Sequence, residues 1–212
     1  MLAMTGTVGA AGRIGLDAGM KIWFNDWTHD VPGVGTITSD TAMLIGPAIH
    51  AEVGSGFAEA SYLVVGSEYR FTDQAVNETV ERKVVDFAAG YRLTPEVGLL
   101  AGYRNSELEE SVTRTKAKLS GPFIGLRADV FMDRYLAFYL GSNLLFTRVN
   151  QMGPAGGYQE NSPGWAYEFG FKYSFTRHVK GAIGYRAETN TGQHSNAQEA
   201  FSGFTLSGMA AF

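Results

Sequence analysis

The sequence predicts an all-β chain closed into an antiparallel up-and-down barrel of about ten strands, with eight as the alternative count. Three observations predict it. Apolar and polar residues alternate with period two along most of the chain, which separates two faces of a strand and scatters around a helix. The segments between alternating stretches are short and long by turns, as a meander of hairpins requires. The composition is rich in glycine (27 residues) and aromatics (13%) and lacks cysteine, which suits many close-packed strands and excludes disulfide scaffolds and thiolate metal sites.

The chain's 212 residues fit one domain. The alternation is cleanest over residues 12 to 27, where Ile14, Leu16, Ala18, Met20, Ile22 and Phe24 oppose Arg13, Asp17, Lys21 and Asn25. Met43, Ile45, Pro47, Ile49 and Ala51 then oppose Leu44, Gly46, His50 and Glu52. A third strand near 57 to 69 is the least clear, because Leu63 and Val65 share a face with Glu59 and Ser61. Val85, Phe87, Ala89 and Tyr91 oppose Asp86, Ala88, Gly90 and Arg92, and Val97, Leu99, Ala101 and Tyr103 oppose Glu96, Gly98, Gly102 and Arg104. Ile124, Leu126, Ala128 and Val130 oppose Gly125, Arg127 and Asp129, while Leu136, Phe138, Leu140, Leu144 and Phe146 oppose Tyr139, Gly141 and Asn143. Trp165 to Phe175 carries aromatics on one face against Glu168, Gly170 and Lys172. Ile183, Tyr185 and Ala187 oppose Lys180, Arg186 and Glu188, and Phe204, Leu206, Ala210 and Phe212 oppose Thr205, Ser207 and Met209.

Tight turns are expected at 54–56, 94–95, 132–134 and 176–178. Long polar loops are expected over 28–40, 70–81, 105–115, 148–163 and 189–199, the fourth irregular around Gly153-Pro154-Ala155-Gly156-Gly157. All turns then lie at one end and all loops at the other.

Alternation alone does not say which face is outside, since a soluble ligand-binding barrel puts its apolar face inward. Three features favour lipid on the apolar face. Aromatics collect near both strand ends, as rings seeking a membrane interface do. The girdle expected near the loop end is Phe24, Trp27, Tyr69, Tyr103, Phe146, Trp165, Tyr167, Tyr185 and Phe204. Near the turn end it is Phe57, Tyr91, Tyr135, Phe138, Tyr173, Phe175 and Phe212. Glycines concentrate on the polar face, where a narrow closed barrel needs bends and room for bulky neighbours. Charges on that face balance, as buried charges must. Asp17, Glu52, Glu59, Asp86, Glu96, Asp129, Glu168 and Glu188 stand against Arg13, Lys21, Arg92, Arg104, Arg127, Lys172, Lys180 and Arg186, with His50 beside Glu52. The implied location is a bacterial outer membrane, with short turns on the periplasmic side. Residues 12–212 form the barrel and 1–11 an N-terminal periplasmic segment. Met1-Leu2-Ala3-Met4-Thr5 lacks the positive and apolar regions of an export signal, so such a signal is expected either to have been removed or never to have been part of this sequence.

The last stretch, Phe204-Thr205-Leu206-Ser207-Gly208-Met209-Ala210-Ala211-Phe212, resembles the terminal strand of bacterial outer-membrane proteins, ending in an aromatic with apolar residues at alternating positions. Ala210 is smaller than that pattern favours. The pairing of Asp86–Leu93 (DFAAGYRL) with Val97–Arg104 (VGLLAGYR) around Thr94-Pro95 is similar to hairpins of small barrels of the broad OmpA/OmpW-like class. The resemblance implies that Phe212 is read by the outer-membrane assembly machinery, and it carries no catalytic motif. Lipid bilayer, lipopolysaccharide and an envelope protein are the expected partners. A net charge of −4 gives no basic surface for nucleic acid.

For function, the charge ladder reads first as a structural plug, because barrels of eight strands are just filled by side chains, and second as a narrow channel for ions or small solutes. Loop-end hydrolysis is the third reading. A general base needs an acceptor within hydrogen-bond reach, and a serine nucleophile needs such a base, so His29 between Asp26 and Asp30, and His194-Ser195 before Glu199, are the places to look. Polar loops collect such residues for solubility alone, and no enzyme is expected. His178 sits in a tight turn, and Glu107, Glu109 and Glu110 read as a solvated acidic run able to bridge lipopolysaccharide through cations. No cofactor and no metal site are expected.

Overall fold

The computed structural model describes residues 14–71, 78–154 and 156–212. The segment 1–11 and Arg13 lie outside them. The strands are β1 (Ile14–Val31), β2 (Gly35–Thr38), β3 (Ala42–Val53), β4 (Gly56–Ser67), β5 (Tyr69–Phe71) and β6 (Glu78–Arg92), followed by β7 (Val97–Glu110), β8 (Lys116–Phe131), β9 (Leu136–Gly153), β10 (Gly156–Ser174), β11 (Val179–Thr191) and β12 (Gln198–Ala211). Ten of these pair antiparallel with their neighbours, and β12 returns to β1 from Asp17↔Ala211 to Asp30↔Gln198. The barrel is thereby closed and leaves no long sheet edge inside lipid. The short β2 and β5 pair only with the upper parts of β1 and β6.

The four tight turns fall where expected. In the Gly54-Ser55 turn, Gly54 takes a φ of +60°, the left-handed value that the first position of a II′ hairpin requires and that glycine supplies without strain. The long loops are a correction. Strands continue through most of the predicted loop residues, and β9 and β10 pair all the way to Gly153↔Gly156. Loss of apolar alternation had marked the height at which lipid ends, and there the outer face turns polar while the strands run on into water.

That height is visible around the barrel. On β1 the outer face is apolar from Ile14 to Phe24 and then carries Asp26 and Thr28. Those first residues cover about 33 Å of strand at about 3.3 Å each, or about 25 Å along the normal at a tilt near 40°. On β7 the change follows Tyr103, on β9 it follows Phe146, and on β12, read downward, it precedes Phe204. Three ladder irregularities sit at this level, each opposite a boundary aromatic. Phe24 faces Met43, beside which the β3–β4 register shifts. Tyr103 faces Pro122 and Phe146 faces Pro163.

Most girdle residues lie on the outer face. Trp165 is 56% and Tyr91 60% exposed, and along it Phe87 stacks on Tyr103 while Tyr185–Phe204 and Tyr173–Phe175 meet edge to face. Tyr103, Tyr135, Phe146, Tyr167, Phe175 and Phe212 are also exposed there. Trp27, Tyr69 and Phe57 are corrections, since all three are buried inside. Trp27 stands three residues from Phe24, an odd offset that turns it to the opposite face.

The uncertain third strand has the same explanation. Leu63, fully buried, joins Trp23, Trp27, Leu44, Tyr69, Phe71 and Phe201 in an apolar cluster inside the upper barrel, against which Val65 packs. Its apolar residues share a face with Glu59 because the interior changes from charged to apolar along the strand.

Candidate functional site in the lumen

The inward residues of the ten strands stack in layers. In the lowest layer, toward the turns, Lys180 binds Asp17 at 2.7 Å and Lys172 binds Asp129. Arg92 bridges Glu52 and Asp129, and His50 Nε2 lies 3.0 Å from Glu52 Oε1. Above them Lys21 on β1 reaches across the lumen to Glu168 on β10 at 2.7 Å, and Tyr139 donates its hydroxyl to the same carboxylate at 3.2 Å. Arg127 on β8 pairs across with Glu59 on β4.

The next layer is deeply buried. Arg104 makes a two-bond contact with Asp86 at 2.6 and 2.9 Å and donates to Glu188 at 2.7 Å. Arg186 donates to both acids at 3.1 and 3.2 Å. Arg82 binds Glu188 and donates Nε to Ser106 at 3.0 Å. Three guanidinium groups thus share two carboxylates, one positive charge too many for a dry interior. Aromatic faces take up the excess, since Arg82 lies 3.5 Å from the Phe201 centroid and Arg186 4.6 Å from that of Trp23, where ring quadrupoles attract cations. The Arg82 and Glu188 side chains are 0% and 1% exposed. Over this layer sits the apolar cluster, with Trp27 stacked on Phe201 at 5.7 Å and edge-on to Phe71 at 5.2 Å. Tyr69 donates its hydroxyl to Asn25 Oδ1 at 2.6 Å.

Below this layer a cavity of about 450 Å³ opens toward the turns, lined among others by Asp17, Lys21, His50, Glu52, Glu59, Arg127, Glu168 and Lys180. Glu96, expected among its charges, instead sits exposed in the turn after β6, accepting from Thr94 Oγ1 at 3.0 Å. The strand starts one residue later, at Val97, which leaves Glu96 clear of the inner wall. Arg82 lies outside the expected charge network because the loop expected over 70–81 ends beside it. Its signal was parity, since Arg82, Val84, Asp86 and Ala88 alternate on one inner face.

At the loop end the hydrolase candidates come apart. His29 faces inward, with Nδ1 3.7 Å from Glu199 Oε1. Its flanking acids face the other way, Asp26 accepting from Thr41 and Asp30 from Thr36. Ser195 Oγ donates to Glu160 at 2.6 Å, and the backbone N–H groups of His194 and Ser195 bind the same carboxylate at 2.8 and 3.1 Å. That hydroxyl clamps a turn onto β10, and among the described residues no histidine hydrogen-bonds to it. Burial pushes the Glu199 carboxyl up to about 7, with Arg82 opposing and Glu188 and Glu110 adding to the shift. Burial lowers the His29 imidazole, with Glu110 and Asp30 opposing. His178 rests against the Ala211 carbonyl at 3.3 Å. Glu107 and Glu109 pair on the outer wall with Lys118 and Lys116 at 3.5 and 2.9 Å. No group of three or more metal-ligating side chains occurs among the described residues.

No family model and no curated protein matches the sequence. Solved structures do. The outer-membrane protease OmpT of Escherichia coli superposes with a TM-score of 0.65 at 12% identity, over 94% of this chain and 96% of that one. The attachment invasion locus protein Ail of Yersinia pestis (TM-score 0.37, 10% identity, 92% and 98% covered) is also similar. So is Neisserial surface protein A (TM-score 0.38, 14% identity, 96% and 98% covered). At such identities only the fold is shared. Closed ten-strand architecture, a lipid-height apolar belt and the fold shared with the Escherichia coli structure together make the chain a bacterial outer-membrane β-barrel.

Proposed function

We propose that this outer-membrane barrel is a non-conducting, non-enzymatic envelope protein, with a structural or partner-docking role. The observation that carries the reading is the layer of Arg82, Arg104, Arg186, Asp86 and Glu188 roofed by Trp23, Trp27 and Phe201. An ion crossing it would have to displace charge-assisted hydrogen bonds between groups already out of water, each costly to leave unmet. The rigid wall above the belt then serves to display the loop-end turns to a partner, and a rigid frame leaves their sequence free. Lipopolysaccharide against the outer wall, and the assembly machinery at Phe212, are the other contacts this reading assigns. Phe212 is 79% exposed, and its N–H is held by the Leu16 carbonyl at 2.9 Å. The hydroxyl of Ser195, committed to Glu160, supports the non-enzymatic half.

Planar-bilayer recording tests it. The expected trace is silent under applied voltage. Steady picosiemens-scale steps that change on neutralising Asp86 or Arg127 would replace the reading with a narrow channel. Peptide or lipid hydrolysis by the purified chain that disappears in a His194→Ala, Ser195→Ala variant would replace it with an enzyme.

A further inference from the structure

We infer that the turn-end cup is a binding site for a small N-acylated amino carboxylate, a molecule with an apolar body, one carboxylate and an adjacent N–H, entering from the periplasmic side. The inference rests on the sealed lumen proposed above, since only closure at the loop end makes the cavity a cup and not a passage. At about 450 Å³ it lies within the range of roughly 300–1,000 Å³ typical of small-molecule sites.

Its chemistry is lopsided toward donors. Seven lysine and arginine side chains line it against six carboxylates. Lys172 and Lys180, near the opening, are each 43% exposed and bind one carboxylate each, although an ammonium has three N–H groups to offer. Deeper in, the buried Arg127 Nε has no hydrogen-bond partner among the described residues, and neither has the buried Asn143 Oδ1. These two belong to adjacent strands, Arg127 opposite Gly141 and Asn143 opposite Gly125, so they are diagonal neighbours on the inner wall. An orphaned donor beside an orphaned acceptor matches a carboxylate beside an amide N–H, and each is costly while unmet. Gly125 makes room for the Asn143 amide, because a Cβ there would stand 2.0 Å from Asn143 Oδ1. The apolar body has rings to lie against. Phe57 and Tyr139 line the cavity, with Arg92 5.6 Å and Lys172 5.1 Å from their centroids.

Calorimetric titration of the full chain in detergent micelles, with N-acetylphenylalanine and with its neutral amide as probes, tests the site. The acid is expected to bind at least about tenfold more tightly than the amide, the loss that one charge-assisted contact represents. Ser207→Phe, which fills the cup from an inward position that lines it without removing a charge, and Arg127→Lys, which keeps the charge facing Glu59 but deletes Nε, should each weaken acid binding about fivefold or more. Equal affinity for acid and amide, no binding of either, or unchanged binding by Ser207→Phe would overturn the inference. Vesicles holding the wild-type chain separate the two readings. Uptake of the acid into them would sink the seal itself, whereas absent uptake with absent binding would sink the cup alone.

Discussion

Arginine placed at successive depths on the outer face of β8 gives a direct measure of where hydrocarbon touches the barrel. Ile124, Leu126 and Val130 point outward and are 54%, 52% and 53% exposed, with Ser120 and Lys118 above them on the same face. Two residues along a strand tilted near 40° move about 5 Å along the membrane normal. Leu126 therefore lies about 10 Å from both the Pro122 boundary and Val130, close to the middle of the belt. Arginine costs about 2–4 kcal/mol at the midplane and about 0–1 near an interface. Leu126→Arg should fall in the first range and Ser120→Arg in the second, with Ile124→Arg and Val130→Arg between. Reversible guanidinium unfolding in phospholipid vesicles reads these differences as shifts in midpoint at constant slope. A flat profile, or a larger cost at Ser120 than at Leu126, would refute the assignment of lipid to this face.

Three further outcomes are expected. Glu188→Ala removes the acid shared by three arginines and should cost about 3–5 kcal/mol in the same assay, whereas Arg82→Met should cost less, because Glu188 keeps Arg104 and Arg186; equal costs would contradict the shared-acid geometry. Gly102→Ala, whose Cβ would meet the Phe87 carbonyl oxygen at 2.2 Å, should cost about 1–3 kcal/mol by overpacking, while Gly141→Ala, first meeting Arg127 at 3.5 Å, should be close to neutral; a reversed order would mean that the wall contacts are misplaced. Glu199 binds its proton more tightly folded, at about 7 against an ordinary 4.5, so its contribution is full below about pH 4.5 and is lost as pH rises toward 7, by on the order of 3 kcal/mol at most. Glu199→Gln should flatten that stretch of the stability curve, and an unchanged slope would remove Glu199 as its source.

Strand identity and facing were legible because lipid and a filled lumen impose the same period of two on every strand. Leu126 against Arg127 needs no further context. Three kinds of information were hidden. The sequence marks where lipid ends, and at Lys83 or Glu107 that mark looks like the end of a strand although the ladder continues, which is why Arg82 went unread. Apolar residues also fill the upper lumen, so Leu63 and Trp27 carry no sign of which side they serve until parity is counted from a certain neighbour. Finally, pairing across the lumen depends on strands far apart in sequence. That Lys21 meets Glu168, and that Arg82 meets Glu188, follows from closure of the whole barrel and not from any local spacing.

The register shift beside Met43 and the prolines at 122 and 163 share one height. Proline cannot donate to the ladder, and a bulge absorbs an added residue, so hairpins above this line can lengthen or shorten without slipping the pairs below. The half standing in water is thereby a replaceable crown. Its turns can diversify under selection by whatever meets the cell, while the anchored half, which the bilayer holds to one thickness, stays as it is.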